Sequence, residues 1–91
     1  MPRISVFYGI VIRMYVNDHL PPHFHAVHGA FEARFEIVSG ERMDSQFPRH
    51  ASRLVEDWAD LHRTELTRNW ELIENGELPL DIEGLDADQS R

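Results

Sequence analysis

The sequence contains no cysteine, which excludes disulfides and thiolate metal sites. It contains no lysine, so all nine cationic side chains are arginine. Arginine suits bidentate contact with phosphate or carboxylate, although the base composition of a gene accounts for such a bias equally well. No apolar run approaches the ~20 residues needed to cross a bilayer. The opening Met1-Pro2-Arg3-Ile4-Ser5 lacks the basic and apolar regions of a signal peptide. These absences fit a cytoplasmic protein without a membrane partner.

Positive charge is scarce. The net charge of −7 argues against broad electrostatic attraction to nucleic acid. The imbalance is uneven: from Glu77 to the end there are five acids against Arg91 alone. Over residues 1–31, Arg3 and Arg13 face only Asp18, beside four histidines. At 91 residues and 42% hydrophobic content, the chain suffices for one small folded domain.

One stretch stands out. Asn17-Asp18-His19-Leu20-Pro21-Pro22-His23-Phe24-His25-Ala26 places three of six histidines within seven residues, next to an aspartate. Imidazoles titrate and bind metals near neutral pH. The two prolines stiffen the loop, since each fixes its own φ and restricts the residue before it.

Residues 4–16 alternate in polarity and are rich in β-branched side chains, which predicts a strand or a broken pair with a bulge or bend at Gly9. Residues 23–38 predict a hairpin. With His28-Gly29 as its turn, His25 faces Glu32 and His23 faces Arg34. The apolar side is then Phe24, Ala26, Phe31, Ala33, Phe35 and Ile37. Ser39-Gly40 is a second turn, and Glu41–Gln46 is expected as a short edge strand. Phe47-Pro48 opens a helical stretch with no glycine or proline from Arg49 to Asn75. Ala51, Val55, Trp58, His62, Leu66, Trp70 and Ile73 form one stripe, widened by Leu54, Leu61 and Leu72. A single helix there would span ~39 Å, long for so small a sheet, so one helix with a bend or an overhang, or two joined near His62-Arg63-Thr64, is expected. Asn75-Gly76 is the stop. Leu78, Leu80 and Ile82 are expected to dock an extended segment, followed by a disordered acidic tail over residues 84–91.

Tyr8-Gly9-Ile10, the Asp18-His19 and Pro21-Pro22-His23-Phe24-His25-Ala26 string, and Gly29 resemble a small bacterial family, domain of unknown function 4160. Pro48-Arg49, Trp58-Ala59 and Asn69-Trp70 resemble it too. The resemblance covers roughly residues 1–83. It implies no established activity. It implies a frequent neighbour, a small protein of domain of unknown function family 2442 encoded by the adjacent gene, and a two-gene toxin–antitoxin-like module.

Four readings of the histidine segment stay open. As a metal site, His23 and His25 project from one face of a strand. Asp18, His19 and Glu32 are within reach to complete a set for zinc, iron, nickel or manganese. As metal-free nuclease chemistry on RNA, His19, His23 or His25 supplies acid or base, and Arg13 or Arg34 steadies phosphate charge. As a recognition surface, the histidines and Tyr15 meet a partner or a second copy of the chain. As structure alone, they cap turns and fix the hairpin. His62, on the apolar stripe, is expected as a core histidine with one satisfied nitrogen.

The expected fold is α+β: an antiparallel meander of three or four strands with one long or bent C-terminal helix packed on one face, over residues 1–83. The leading expectation is a component of a toxin–antitoxin-like pair acting through His19, His23 and His25. The alternative is a metal-dependent hydrolase or oxygenase-like enzyme.

Overall fold

The computed structural model describes residues 2–43 and 46–89. Four strands, β1 (Arg3–Phe7), β2 (Ile10–Arg13), β3 (His23–His28) and β4 (Phe31–Glu36), form an antiparallel meander in the order β1-β2-β3-β4. The bulge or bend expected at Gly9 is a tight turn. Tyr8 (φ 50°) and Gly9 (φ 75°) are both left-handed, the geometry that matches the twist of the flanking strands. The irregularity in the β1–β2 ladder falls instead between Arg3 and Ser5.

The β3–β4 register differs from the expected one by two residues. His28 pairs with Phe31, His25 with Arg34 and His23 with Glu36. The turn is therefore Gly29-Ala30. Its first position needs a positive φ, which Gly29 adopts at 59° and a histidine resists. His28 stays in the strand, its Nδ1 3.1 Å from the Gly9 carbonyl oxygen. A shift of two preserves sidedness. Phe24, Ala26, Ala33, Phe35 and Ile37 remain buried, while Phe31, at the open end, is 44% exposed. Beyond Gly40 the expected edge strand reduces to a single bridge, Phe35 with Arg42. Asp44 and Ser45 of that stretch lie outside the described residues.

Of the arrangements left open for the helical stretch, the structure has two joined helices. α1 (Arg49–Leu61) and α2 (Arg63–Glu74) meet at His62, whose φ of −116° leaves the helical range. The whole stripe from Ala51 to Ile73 is buried. Trp58 is the centre of the core. Its ring lies 5.4 Å from Phe7 and 5.6 Å from Phe24, which stacks on Phe35. Leu54 and Leu72 are half-buried, but Leu61, beside the break, points to solvent. His62 packs on Trp58, and its Nδ1 pairs with Glu65. Gly76 (φ 77°), just past the end of α2, closes it, with Gly76 N–H donating to the Ile73 carbonyl and Glu77 N–H to the Leu72 carbonyl. This is the paired-bond stop that a left-handed glycine provides.

The C-terminal segment docks differently from expectation. Ile82 is buried and its N–H donates to the Ile4 carbonyl at 2.7 Å, but Leu78 and Leu80 are exposed. The buried Asn69 amide holds this segment instead, donating to the Leu80 carbonyl and accepting its N–H, each at 2.8 Å. The tail expected to be disordered from residue 84 carries a short helix, α3 (Leu85–Gln89). Leu85 supplies the apolar anchor, at 2% exposure. Ser90 and Arg91 lie outside the described residues. Among the described residues no helix is long and apolar enough to cross a membrane.

Candidate metal centre

The site is assembled by the loop between β2 and β3. Asn17 adopts a left-handed conformation (φ 61°), and its N–H donates to the Ile73 carbonyl near the end of α2. That tie fixes the loop against the helix and turns Asp18 toward the sheet. The Leu20–Pro21 peptide is cis. β3 then begins at His23, and the two-residue strand period sets His23 and His25 on the same face.

Both imidazoles converge on one carboxylate oxygen. His23 Nε2 is 3.0 Å from Asp18 Oδ2, and His25 Nε2 is 3.2 Å from the same atom. One ligand atom from each of the three residues lies within 4.8 Å of the others. Ligand atoms on a metal with bonds of ~2.0–2.1 Å stand about 3 Å apart, so the two short separations suit a shared ion as well as the direct hydrogen bond that His25 makes to Asp18.

The opposite ring nitrogens are engaged elsewhere. His23 Nδ1 lies 2.7 Å from the Pro21 carbonyl. That oxygen only accepts, so Nδ1 carries the hydrogen. A neutral His23 therefore turns a lone pair toward the Asp18 oxygen. His23 is 1% exposed, and its Nε2 has no hydrogen-bond partner despite the 3.0 Å approach. Two acceptors face one another where His23 is buried and Asp18 only partly exposed, and a cation, proton or metal, between them satisfies both. His25 Nδ1 lies 3.5 Å from Glu32 Oε2. Pro21 and Glu32 thus stand where outer partners of metal-bound histidines stand, fixing which nitrogen is offered.

Asp18 is ionised. Burial would raise its pKa, but the His19 N–H, the His25 ring and the charge of the two histidines outweigh burial and hold it below the ordinary carboxylate value. Tyr15 meets His25 edge-on, ring centres 4.5 Å apart. Burial first, and then the Glu32 charge, raise the Tyr15 hydroxyl's pKa, so it keeps its proton at neutral pH.

The remaining sequence candidates fall around this trio. His19 is mostly exposed, and its Nδ1 lies 3.1 Å from Asp18 Oδ1, the other carboxylate oxygen. Glu32 reaches the Nδ1 side of His25 and is not in the converging set. Arg13 and Arg34 flank His25 in one row across β2, β3 and β4. Arg13 Nε is buried without a hydrogen-bond partner. His28, His50 and His62 lie elsewhere, on the sheet end and on the helices. Sequence reasoning misses two supports. The Pro21 carbonyl leaves no side-chain signal. Trp70, legible as a core residue on the α2 stripe, also closes the site from below, 5.5 Å from the His23 ring.

A family model described as a domain of unknown function, DUF4160, matches residues 9–71, the span holding the whole trio and both helices up to Glu71. No curated protein and no solved structure matches the chain.

Proposed function

This chain belongs to the DUF4160 family, and from the geometry of the site we propose that it binds one divalent transition metal through Asp18, His23 and His25 and uses it for hydrolysis. The observation that carries this reading is the buried Nε2 of His23. It is aimed at a carboxylate oxygen, while the Pro21 carbonyl fixes the hydrogen on the other nitrogen. Two imidazoles and one carboxylate suit zinc, iron, nickel or manganese and leave coordination positions for water and substrate. A bound metal would acidify such a water into a nucleophile. Arg13 and Arg34, either side of His25, favour a substrate that carries an oxyanion.

The test is metal binding by protein purified without a histidine tag, followed by hydrolysis of bis(p-nitrophenyl) phosphate. One equivalent of zinc or cobalt, lost in His25→Ala along with turnover, supports the proposal. Protein that takes up no metal from a replete buffer refutes it. A place in a two-gene toxin–antitoxin-like module is compatible with such chemistry. Growth arrest that depends on His25 and is relieved by the neighbouring gene's product would support that role.

A further inference from the structure

A second feature lies away from the histidines. A groove of about 850 Å³ runs between the β3–β4 turn and the start of α1. Among the described residues, Arg42, Arg49 and Arg53 line it against one carboxylate, Glu56, in a chain whose net charge is −7. Arg49 and Arg53 are one helical turn apart and exposed. Arg42 is held at the wall by donating from Nη1 to the Phe47 carbonyl at 3.1 Å. The start of α1 adds to the same field. Its N-cap is Pro48, which has no side-chain oxygen to cap the helix, and its first turn holds no acid. The leading N–H groups and the positive end of the helix dipole are therefore not neutralised by a cap or a first-turn carboxylate. Phe31, 44% exposed, forms part of the lining.

We propose that this groove binds a short stretch of single-stranded nucleic acid, phosphates on the arginines and the α1 N-terminus, one base stacked on Phe31. Guanidinium groups and helix N-termini both recognise phosphate. An exposed aromatic beside a basic track is the combination that single strands use, because every base offers a flat face. An acidic polypeptide would satisfy the arginines but leave Phe31 without a role. The groove is independent of the proposed metal site.

The test is fluorescence anisotropy with a labelled mixed-sequence single strand of about 12 nucleotides, as RNA and as DNA. Binding is expected at low salt, weakening as salt rises with a slope of roughly −2 in log–log form for three phosphate contacts. The double variant R49Q/R53Q, at exposed positions, should bind at least about tenfold more weakly and with a shallower slope. Phe31→Ala should lose about tenfold. Arg68→Gln, at an exposed arginine on α2 outside the groove, should bind as the unaltered chain does. Circular dichroism verifies that each variant is folded. Absence of binding at low salt, binding undiminished in R49Q/R53Q, or equal affinity for polyglutamate would each overturn the proposal.

Discussion

His23 and His25 stand two residues apart on β3, and each brings Nε2 to within 3.2 Å of one oxygen of Asp18. The strand period gives the two rings a common face, and the Asn17 tie to α2 supplies the third member. The consequences separate along the burial of each residue.

His23→Ala should cost both metal and stability. The ring is buried against Trp70 and bonded to Pro21, so its removal leaves a cavity and an unpaired carbonyl. A loss of about 2–3 kcal/mol is expected from urea unfolding of metal-free protein. His25→Ala, at a partly exposed ring, should abolish metal binding with a clearly smaller loss. Equal destabilisation by the two would argue against the packing assigned here.

Glu32→Gln should weaken metal affinity by about tenfold without abolishing binding, since Glu32 meets the far nitrogen of His25. Isothermal titration with zinc measures this. Asp18→Asn, which removes the shared oxygen's charge, should do far more damage.

Metal-free protein should show an acid-linked contribution from Asp18. The carboxyl's folded pKa is lowered, so its contribution is complete above the unfolded value near ~3.9 and is lost as pH falls through the folded value. The stability difference between the unaltered chain and Asp18→Asn should shrink as pH falls below about 4. Denaturant melts across that range check it. A difference that grows as pH falls below about 4 would reverse the assigned sign.

Much of this arrangement is legible from residue patterns. The His-x-His step fixes sidedness, the Ala51-to-Ile73 stripe fixes the helical face, and Asn75-Gly76 fixes the stop. What escapes depends on choices the pattern leaves degenerate. Placing the turn at His28-Gly29 or Gly29-Ala30 gives the same buried set, so only glycine's φ decides the register. Asp18 rather than Glu32 joins the histidines because Asn17 adopts a left-handed turn tied to Ile73, a contact between segments far apart in sequence. Leu78 and Leu80 look like docking residues, yet a single polar side chain, Asn69, holds their segment by its backbone. Leu85 sits among acids that mask it.

Two structural positions give further checks. A Cβ at residue 84 would meet the Val6 carbonyl oxygen at 2.7 Å, so Gly84→Ala must displace backbone. A loss of about 1–3 kcal/mol is expected in thermal or urea unfolding.

Asn69→Ala should free the segment around Leu80, costing about 1–3 kcal/mol, because both amide bonds disappear from a buried position. Limited proteolysis should then cut near Leu78 and Leu80 sooner than in the unaltered chain.

The most direct measurement is an anomalous-difference map from crystals grown with zinc. The expected result is one peak about 2.0–2.2 Å from His23 Nε2, His25 Nε2 and Asp18 Oδ2, with Pro21 and Glu32 still on the opposite ring nitrogens. A map with no peak there, and with Asp18 hydrogen-bonded directly to a protonated His23, would contradict the account.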